Sequence, residues 1–207
     1  MIGRLHVITD TRAGRNPLVV VDAALRAGAP VVQVRGKDLT DRELYELTCR
    51  VADRCAAHGA TCVVDDRVHV AQAAEVAGVH VGDQDLPVAA VRGLLGPEAV
   101  LGATARDPMT ARAHEAAGAT YLGVGPAYAT STKAGLPAPI GTAGVGRVAR
   151  AVAIPVIAIA GVTAGRVPEL LAAGAYGVAV IGALSDADNP FAATEHLLRA
   201  IDKAVGS

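Results

Sequence analysis

Five short stretches of this chain gather side chains or backbone groups of the kind that handle phosphate. In Gln33-Val34-Arg35-Gly36-Lys37, alternation along an extended chain puts Gln33, Arg35 and Lys37 on one side, opposite Val34. A forked guanidinium beside a compact ammonium suits a diphosphate, although a solvated Arg/Lys pair at a strand end reads equally well. Two further stretches, Val64-Asp65-Asp66-Arg67 and His80-Val81-Gly82-Asp83-Gln84-Asp85, supply acids. Carboxylates at the ends of neighbouring strands are typical of a magnesium site completed by water and phosphate oxygens, so Asp66 and Asp85 are candidate ligands. Asp66 or Asp83 would alternatively cap the apolar helix that follows each segment.

The fourth stretch runs from Gly123 to Gly135 and carries Thr130, Ser131, Thr132 and Lys133 among small residues. Such a loop can close over an anion and supply both donors and charge. The segment from Gly125 to Thr142 is long for a strand-to-helix connection, which favours a lid. The last, split between Ala160-Gly161-Val162 and Ile181-Gly182-Ala183, offers backbone N–H groups to an anion, or simply makes tight turns. His6, His58, His69, His80, His114 and His196 show no metal-ligand spacing. His80 ends an apolar run and reads either as facing a site or as a packed, hydrogen-bonded core residue. No Ser-His-Asp or Cys-His arrangement for covalent catalysis can be argued.

These residues need elements to position them. Apolar runs at Leu5–Thr9, Val31–Val34, Thr61–Val64, Gly78–Val81, Val100–Ala103, Tyr121–Val124, Val156–Ile159 and Gly177–Val180 read as strands buried on both faces. Helical periodicity marks Leu18–Ala27, Asp41–His58, Val68–Ala77, Pro108–Ala117 and Val167–Ala173 between them. Gly28, Gly59, Gly78, Gly118 and Gly174 stand where helix C-caps belong. Eight alternations leave roughly 26 residues per unit, near the minimum for a βα repeat. A doubly wound sheet alternates in the same way, but no GxGxxG follows the first run. The expected fold is a single-domain α/β protein, a (β/α)8 TIM barrel spanning residues 1–207. In that fold the loops at the carboxyl ends of the strands build the site, which is where the residues above lie.

Composition narrows the partners. Hydrophobic residues make up 52% of the chain but aromatics only 2%, so Ala, Val, Leu and Ile must fill the core. A net charge of −1 argues against a polyanion-binding surface, and no nucleic-acid partner is expected. Cys49, Cys55 and Cys62 have no ligand-like spacing and read as buried, reduced thiols. The first residues lack a signal-peptide layout, and no apolar run reaches the roughly 18 residues of a membrane span. A cytoplasmic protein without membrane partner is expected, with a homodimer as the default assembly for a small barrel.

Taken in order, Gln33–Lys37, Asp65-Asp66-Arg67, Gly78–Pro87, Gly123–Lys133, Pro155–Val162 and Gly174–Ile181 resemble the thiamine phosphate synthase family along essentially the whole chain. The Thr-Ser-Thr-Lys loop is the most specific part of that resemblance. The family joins 4-amino-2-methyl-5-hydroxymethylpyrimidine diphosphate to a thiazole phosphate, so small phosphorylated substrates are implied. The resemblance implies that Gln33, Arg35, Lys37 and Lys133 hold the diphosphate, with Arg35, Lys37 and Lys133 catalytic. It further implies magnesium on Asp66 and Asp85, and the pyrimidine against Thr104. Thr130, Thr132, Gly161, Ile181 and Gly182 would bind the thiazole phosphate, and Ser131 and Asp65 complete the substrate-binding set.

Asp65 stands where the family usually has Asn, and would repel the diphosphate unless it joins the metal or pairs with Arg67. Gly182 replaces a usual Ser, and Arg106 a common His. A homologous thiazole tautomerase is the nearest alternative, but it lacks the metal carboxylates and uses a His where Arg106 stands, and arginine cannot shuttle protons near neutral pH. A non-catalytic barrel that binds thiamine-pathway ligands, and an unrelated phosphate-binding isomerase with no need of magnesium, are the remaining alternatives.

Overall fold

The computed structural model describes residues 2–132 and 135–206. Its strands are β1 (Leu5–Ile8), β2 (Val31–Val34), β3 (Thr61–Asp65), β4 (Gly78–Val81), β5 (Val100–Ala105), β6 (Tyr121–Val124), β7 (Val156–Ile159) and β8 (Gly177–Val180). Every neighbouring pair is parallel, and β8 pairs with β1 to close an eight-membered barrel. Helices α1 (Pro17–Arg26), α2 (Asp41–Ala57), α3 (Val68–Ala73), α4 (Val88–Leu95) and α5 (Pro108–Ala116) follow the first five strands. After them come α6 (Gly141–Ala149), α7 (Val167–Ala172), the single-turn α8 (Gly182–Ser185) and α9 (Pro190–Val205). None of the described helices is long and apolar enough to cross a membrane.

Local chemistry explains the boundaries. Asn16, Asp107 and Asn189 accept backbone N–H groups at the starts of α1, α5 and α9, each followed by a proline suited to a first helical turn. Thr40 and Glu43 cap α2 reciprocally. Gly28, Gly59, Gly118 and Gly174 do follow helices, in the left-handed region where a Cβ is unwelcome. Gly78 does not. Helix α3 stops at Ala73, short of the expected Ala77, and Gly78 opens β4, where a Cβ would stand 1.8 Å from the Val100 carbonyl oxygen. Glycine is required there by a close backbone approach.

The two faces of the barrel differ in chemistry. Outward-facing Val7, Val32, Val64, Val79, Leu101, Leu122, Ala158 and Val178 join Leu18, Val21, Leu44, Val91, Val145 and Leu170 of the helices in one aliphatic core. The inner face mixes aliphatic and polar groups. Among the described residues Ile8, Tyr121, Ile157 and Ala179 form a smaller buried apolar cluster there, and Val31 and Val63 are buried on the same face. His6, Gln33, Asp65 and His80 are buried polar groups, and strand register places them on the inner-face positions. Cys55 and Cys62 are buried as expected, whereas Cys49 is only partly covered.

Candidate functional site

At the carboxyl end of β2 and β3, one acid organises three donors. Gln33 Nε2 donates to Asp65 Oδ1 at 2.7 Å, Arg35 Nε lies 3.4 Å from Asp65 Oδ2, and Lys37 Nζ lies 3.9 Å from the same oxygen. The expected common orientation of Gln33, Arg35 and Lys37 is what lets a single carboxylate collect them. Arg67, one of the two partners considered for Asp65, instead reaches Asp41, at 3.1 Å from its Oδ1. The physical reason is local: Arg67 leads into α3 and turns outward toward the start of α2, while Asp65 ends its strand pointing inward.

Asp66 follows with a left-handed backbone, φ 66°, its N–H donating to the His80 carbonyl at 2.8 Å. Its carboxylate meets the Lys37 ammonium. Asp85 accepts the Gly82 N–H at 2.7 Å, folding the segment after β4 back on itself. Asp66 and Asp85 line one cleft of about 470 Å3, together with Arg67, Val68, His69, Gln72, Leu86 and Leu94. Neither Asp66 nor Asp83 caps a helix, because Arg67 and Pro87 occupy the cap positions and no side chain caps either α3 or α4. Among the described residues no three His, Cys, Asp or Glu side chains cluster as a metal cage. A pair of carboxylates in one cleft fits magnesium, which keeps waters and borrows phosphate oxygens, and fits ions needing a full protein cage poorly.

On the opposite arc of the rim, Thr130 Oγ1 lies 3.2 Å from Thr132 Oγ1 and accepts the Thr132 N–H at 3.3 Å. A side chain on Gly182 would meet Thr132 Oγ1 at 3.0 Å, so the loop after β6 touches the first turn after β8. Gly161, φ 64°, packs so tightly under that loop that a Cβ would lie 2.6 Å from the Ala129 carbonyl. Ile181 immediately precedes α8, and its carbonyl accepts from Leu184 and Ser185 N–H. Ser131 is exposed on the same loop. The loop's stem is fastened to β7: Ala127 and Tyr128 N–H donate to the Ile159 and Ala160 carbonyls at 2.8 and 3.1 Å. Arg106, where a proton-shuttling His was the alternative, donates to the Ala138 carbonyl at 2.8 Å. Lys133, expected to complete the lid, lies outside the described residues.

Between the two arcs, Thr104 Oγ1 is 3.0 Å from His80 Nε2, and His80 Nδ1 is 3.1 Å from the Tyr121 hydroxyl. His80 is thus the packed, hydrogen-bonded core residue, but one that reaches toward the site. Burial holds Tyr121 un-ionised by pushing its phenol up, helped by the Asp65 charge. Sequence reading passed over Tyr121, because it opens its strand rather than ending one. It also passed over Asp10, which follows β1 and would have been found by the same end-of-strand rule. The Arg12 guanidinium grips Asp10 at 2.8 and 2.6 Å and holds that carboxyl well below the usual range, against its burial. Asp186, which binds Arg15, borders Gly182.

A family model described as thiamine monophosphate synthase matches residues 5–184. The thiamine-phosphate synthase of Salinispora tropica is 61% identical over 97% of this chain and 98% of its own length. That of Salinispora arenicola is 58% identical over the same shares. Among solved structures, thiamine phosphate pyrophosphorylase from Pyrococcus furiosus superposes with a TM-score of 0.90 at 33% identity, covering 98% of this chain and 97% of that one.

Proposed function

The chain belongs to the thiamine monophosphate synthase family, and from that premise we propose how its rim divides the labour of the synthase reaction. The protein is a transferase of thiamine biosynthesis that joins the pyrimidine diphosphate to the thiazole phosphate. The thiazole nitrogen attacks the pyrimidine methylene with its own lone pair. The methylene C–O bond breaks, and pyrophosphate departs with the bonding electrons. No base is needed for the attack, so the barrier lies in the charge that separates: negative on pyrophosphate, positive on the pyrimidine.

The observation that carries the assignment is the gathering of Gln33, Arg35 and Lys37 around Asp65, beside a cleft lined by Asp66 and Asp85. Arg35 and Lys37 would hold the diphosphate and stabilise the departing pyrophosphate, with Lys133 from the lid as a third cation. Asp65 enters the set through its partners, holding the donors in place before substrate arrives. Asp66 and Asp85 would hold magnesium, which when bound neutralises phosphate charge; the contact between Lys37 and Asp66 would then be exchanged for contacts to metal and substrate. Thr130, Thr132 and the N–H groups near Gly161 and Gly182 suit the smaller monophosphate, with Ser131 at the edge. This reading also makes the protein a cytoplasmic homodimer without a nucleic-acid partner, consistent with its net charge of −1.

Incubation with both phosphorylated substrates, with and without magnesium, tests the proposal directly. Thiamine phosphate is expected only when the metal is present. Equal synthesis in excess chelator would remove the role given to Asp66 and Asp85, and no product under either condition would remove the whole assignment.

A further inference from the structure

We propose that His80 and Tyr121 are positioning residues acting through Thr104, and that together they fix the Thr104 hydroxyl as a hydrogen-bond donor toward the ring bound at the mouth. The proposal rests on the reading above that Thr104 faces the pyrimidine. It concerns how that hydroxyl is oriented, which the reading leaves open.

The inner face of β4, β5 and β6 is built around this chain of groups. His80 is aligned with Gly102 across β4 and β5, and Gly102 with Tyr121 across β5 and β6. A Cβ on Gly102 would lie 2.2 Å from Tyr121 Cζ and 2.4 Å from His80 Nδ1, and one on Gly123 would lie 2.8 Å from His80 Cε1. Two glycines are thus spent on making room for a phenol and an imidazole in an interior that aliphatic side chains could have filled. The His80 and Tyr121 rings lie 5.5 Å apart between centroids.

Hydrogen-bond accounting then decides the direction of the chain. The Tyr121 hydroxyl is buried, and among the described residues its hydrogen-bond partner is His80 Nδ1 at 3.1 Å. If that nitrogen carried a proton, Tyr121 could only accept, and its own O–H would be buried without an acceptor. Leaving such a donor unsatisfied is costly. Tyr121 therefore donates, His80 Nδ1 accepts, and the neutral ring carries its proton on Nε2. That N–H donates to Thr104 Oγ1 at 3.0 Å. With one lone pair so engaged, the Thr104 O–H is turned away from His80 and toward the mouth. An aminopyrimidine presents ring nitrogens that accept and an amino group that donates. A fixed O–H donor selects the ring-nitrogen edge, so the relay sets which way round the pyrimidine lies.

Nitrogen-15 NMR of the whole protein with labelled histidine reads the tautomer, and steady-state kinetics of Tyr121→Phe, Thr104→Val and the double variant read its consequence. His80 is expected with its proton on Nε2. Tyr121→Phe is expected to raise the KM for pyrimidine diphosphate about 5-fold, Thr104→Val by a similar factor, and the pair by no more than Thr104→Val alone. The KM for thiazole phosphate should stay unchanged throughout. A proton on Nδ1 in the parent overturns the proposal even if Tyr121→Phe fails to fold. Multiplying effects in the double variant overturn it too, since Tyr121 would then act elsewhere. If Thr104→Val leaves the pyrimidine KM unchanged while His80 keeps its Nε2 proton, the placement of the pyrimidine fails and takes the proposal with it.

Discussion

Replacing Asp65 with Asn separates two roles that a buried acid beside a phosphate site can have. Its carboxylate faces Arg35 Nε at 3.4 Å and Lys37 Nζ at 3.9 Å, with only 9% of the side chain exposed. At an effective dielectric of about 20 those pairs are worth roughly 5 and 4 kcal/mol of attraction, before several kcal/mol of desolvation are set against them. Asparagine keeps an acceptor for Gln33 but turns an NH2 toward two cations. Arg35 and Lys37 are 22% and 44% exposed, so water can recover part of what they lose. The net destabilisation should be about 1–2 kcal/mol, a fall in Tm of roughly 2–8 °C. The same change leaves Arg35 without its acid and Lys37 with Asp66 alone, so the site carries one negative charge fewer when the diphosphate arrives. Affinity should therefore improve at low salt, with the KM for pyrimidine diphosphate falling about 2- to 5-fold and the gain fading at high ionic strength. Melting curves and kinetics at two salt concentrations measure both sides. A KM that rises 10-fold with an unchanged Tm would refute the reasoning, because Asp65 would then contact substrate or metal itself.

Asp85→Ala should lower kcat/KM by at least about 100-fold with little change in Tm, since Asp85 makes one turn contact; measuring KM against magnesium concentration should show saturation shifted to higher metal. Gly182→Ala puts a methyl about 3 Å from Thr132 Oγ1 and from Asp186 Oδ2, both movable side-chain ends. It should raise the KM for thiazole phosphate about 3- to 10-fold without affecting the pyrimidine diphosphate, and Gly182→Ser should recover part of the loss through its hydroxyl. His6 is pushed down to about 3 by burial, against the help of its bond to Gly3. Between that value and its ordinary one the unfolded chain binds a proton that the fold excludes. Stability is thus full above pH ~6.5 and falls toward pH 3, by about 1.4 kcal/mol per unit from this residue. Urea titrations from pH 7 to 5 should show a shallower loss for His6→Asn than for the parent, and parallel curves would show that His6 does not carry the effect.

The barrel was legible in the sequence because its strands are short valine-rich runs at a regular interval, and because closure makes every one of them buried on both faces. Helix ends were legible where a glycine marks them, as at Gly28 and Gly118. The reading failed at Gly78, where the same residue type serves a close approach to Val100 rather than a helix end. Chain direction cannot distinguish those uses; only the neighbouring strand can. The site was legible for a related reason. A residue at the carboxyl end of a barrel strand reaches the mouth whatever its neighbours do, so Gln33, Arg35 and Lys37 could be grouped from one stretch alone.

Pairing between strands obeys no such local rule, and that is where the expectations needed correction. For Asp65 the sequence offered a metal or Arg67, two residues on, as partner; it meets Arg35 and Lys37 across a strand boundary, because inward alternation in parallel neighbours aligns those positions. The polar interior follows from the same geometry. With two glycines in β5 and β6, the inner layer has room for His80 and Tyr121, and the low aromatic content of the chain makes that one phenol conspicuous only after the register is known. A buried hydroxyl is retained where an aliphatic side chain would pack as well only if its hydrogen bond does something the packing does not. In this barrel the bond passes through His80 to Thr104, which lies between the two arcs of the rim, so under the relay proposed above the least legible part of the interior would set how the pyrimidine is held.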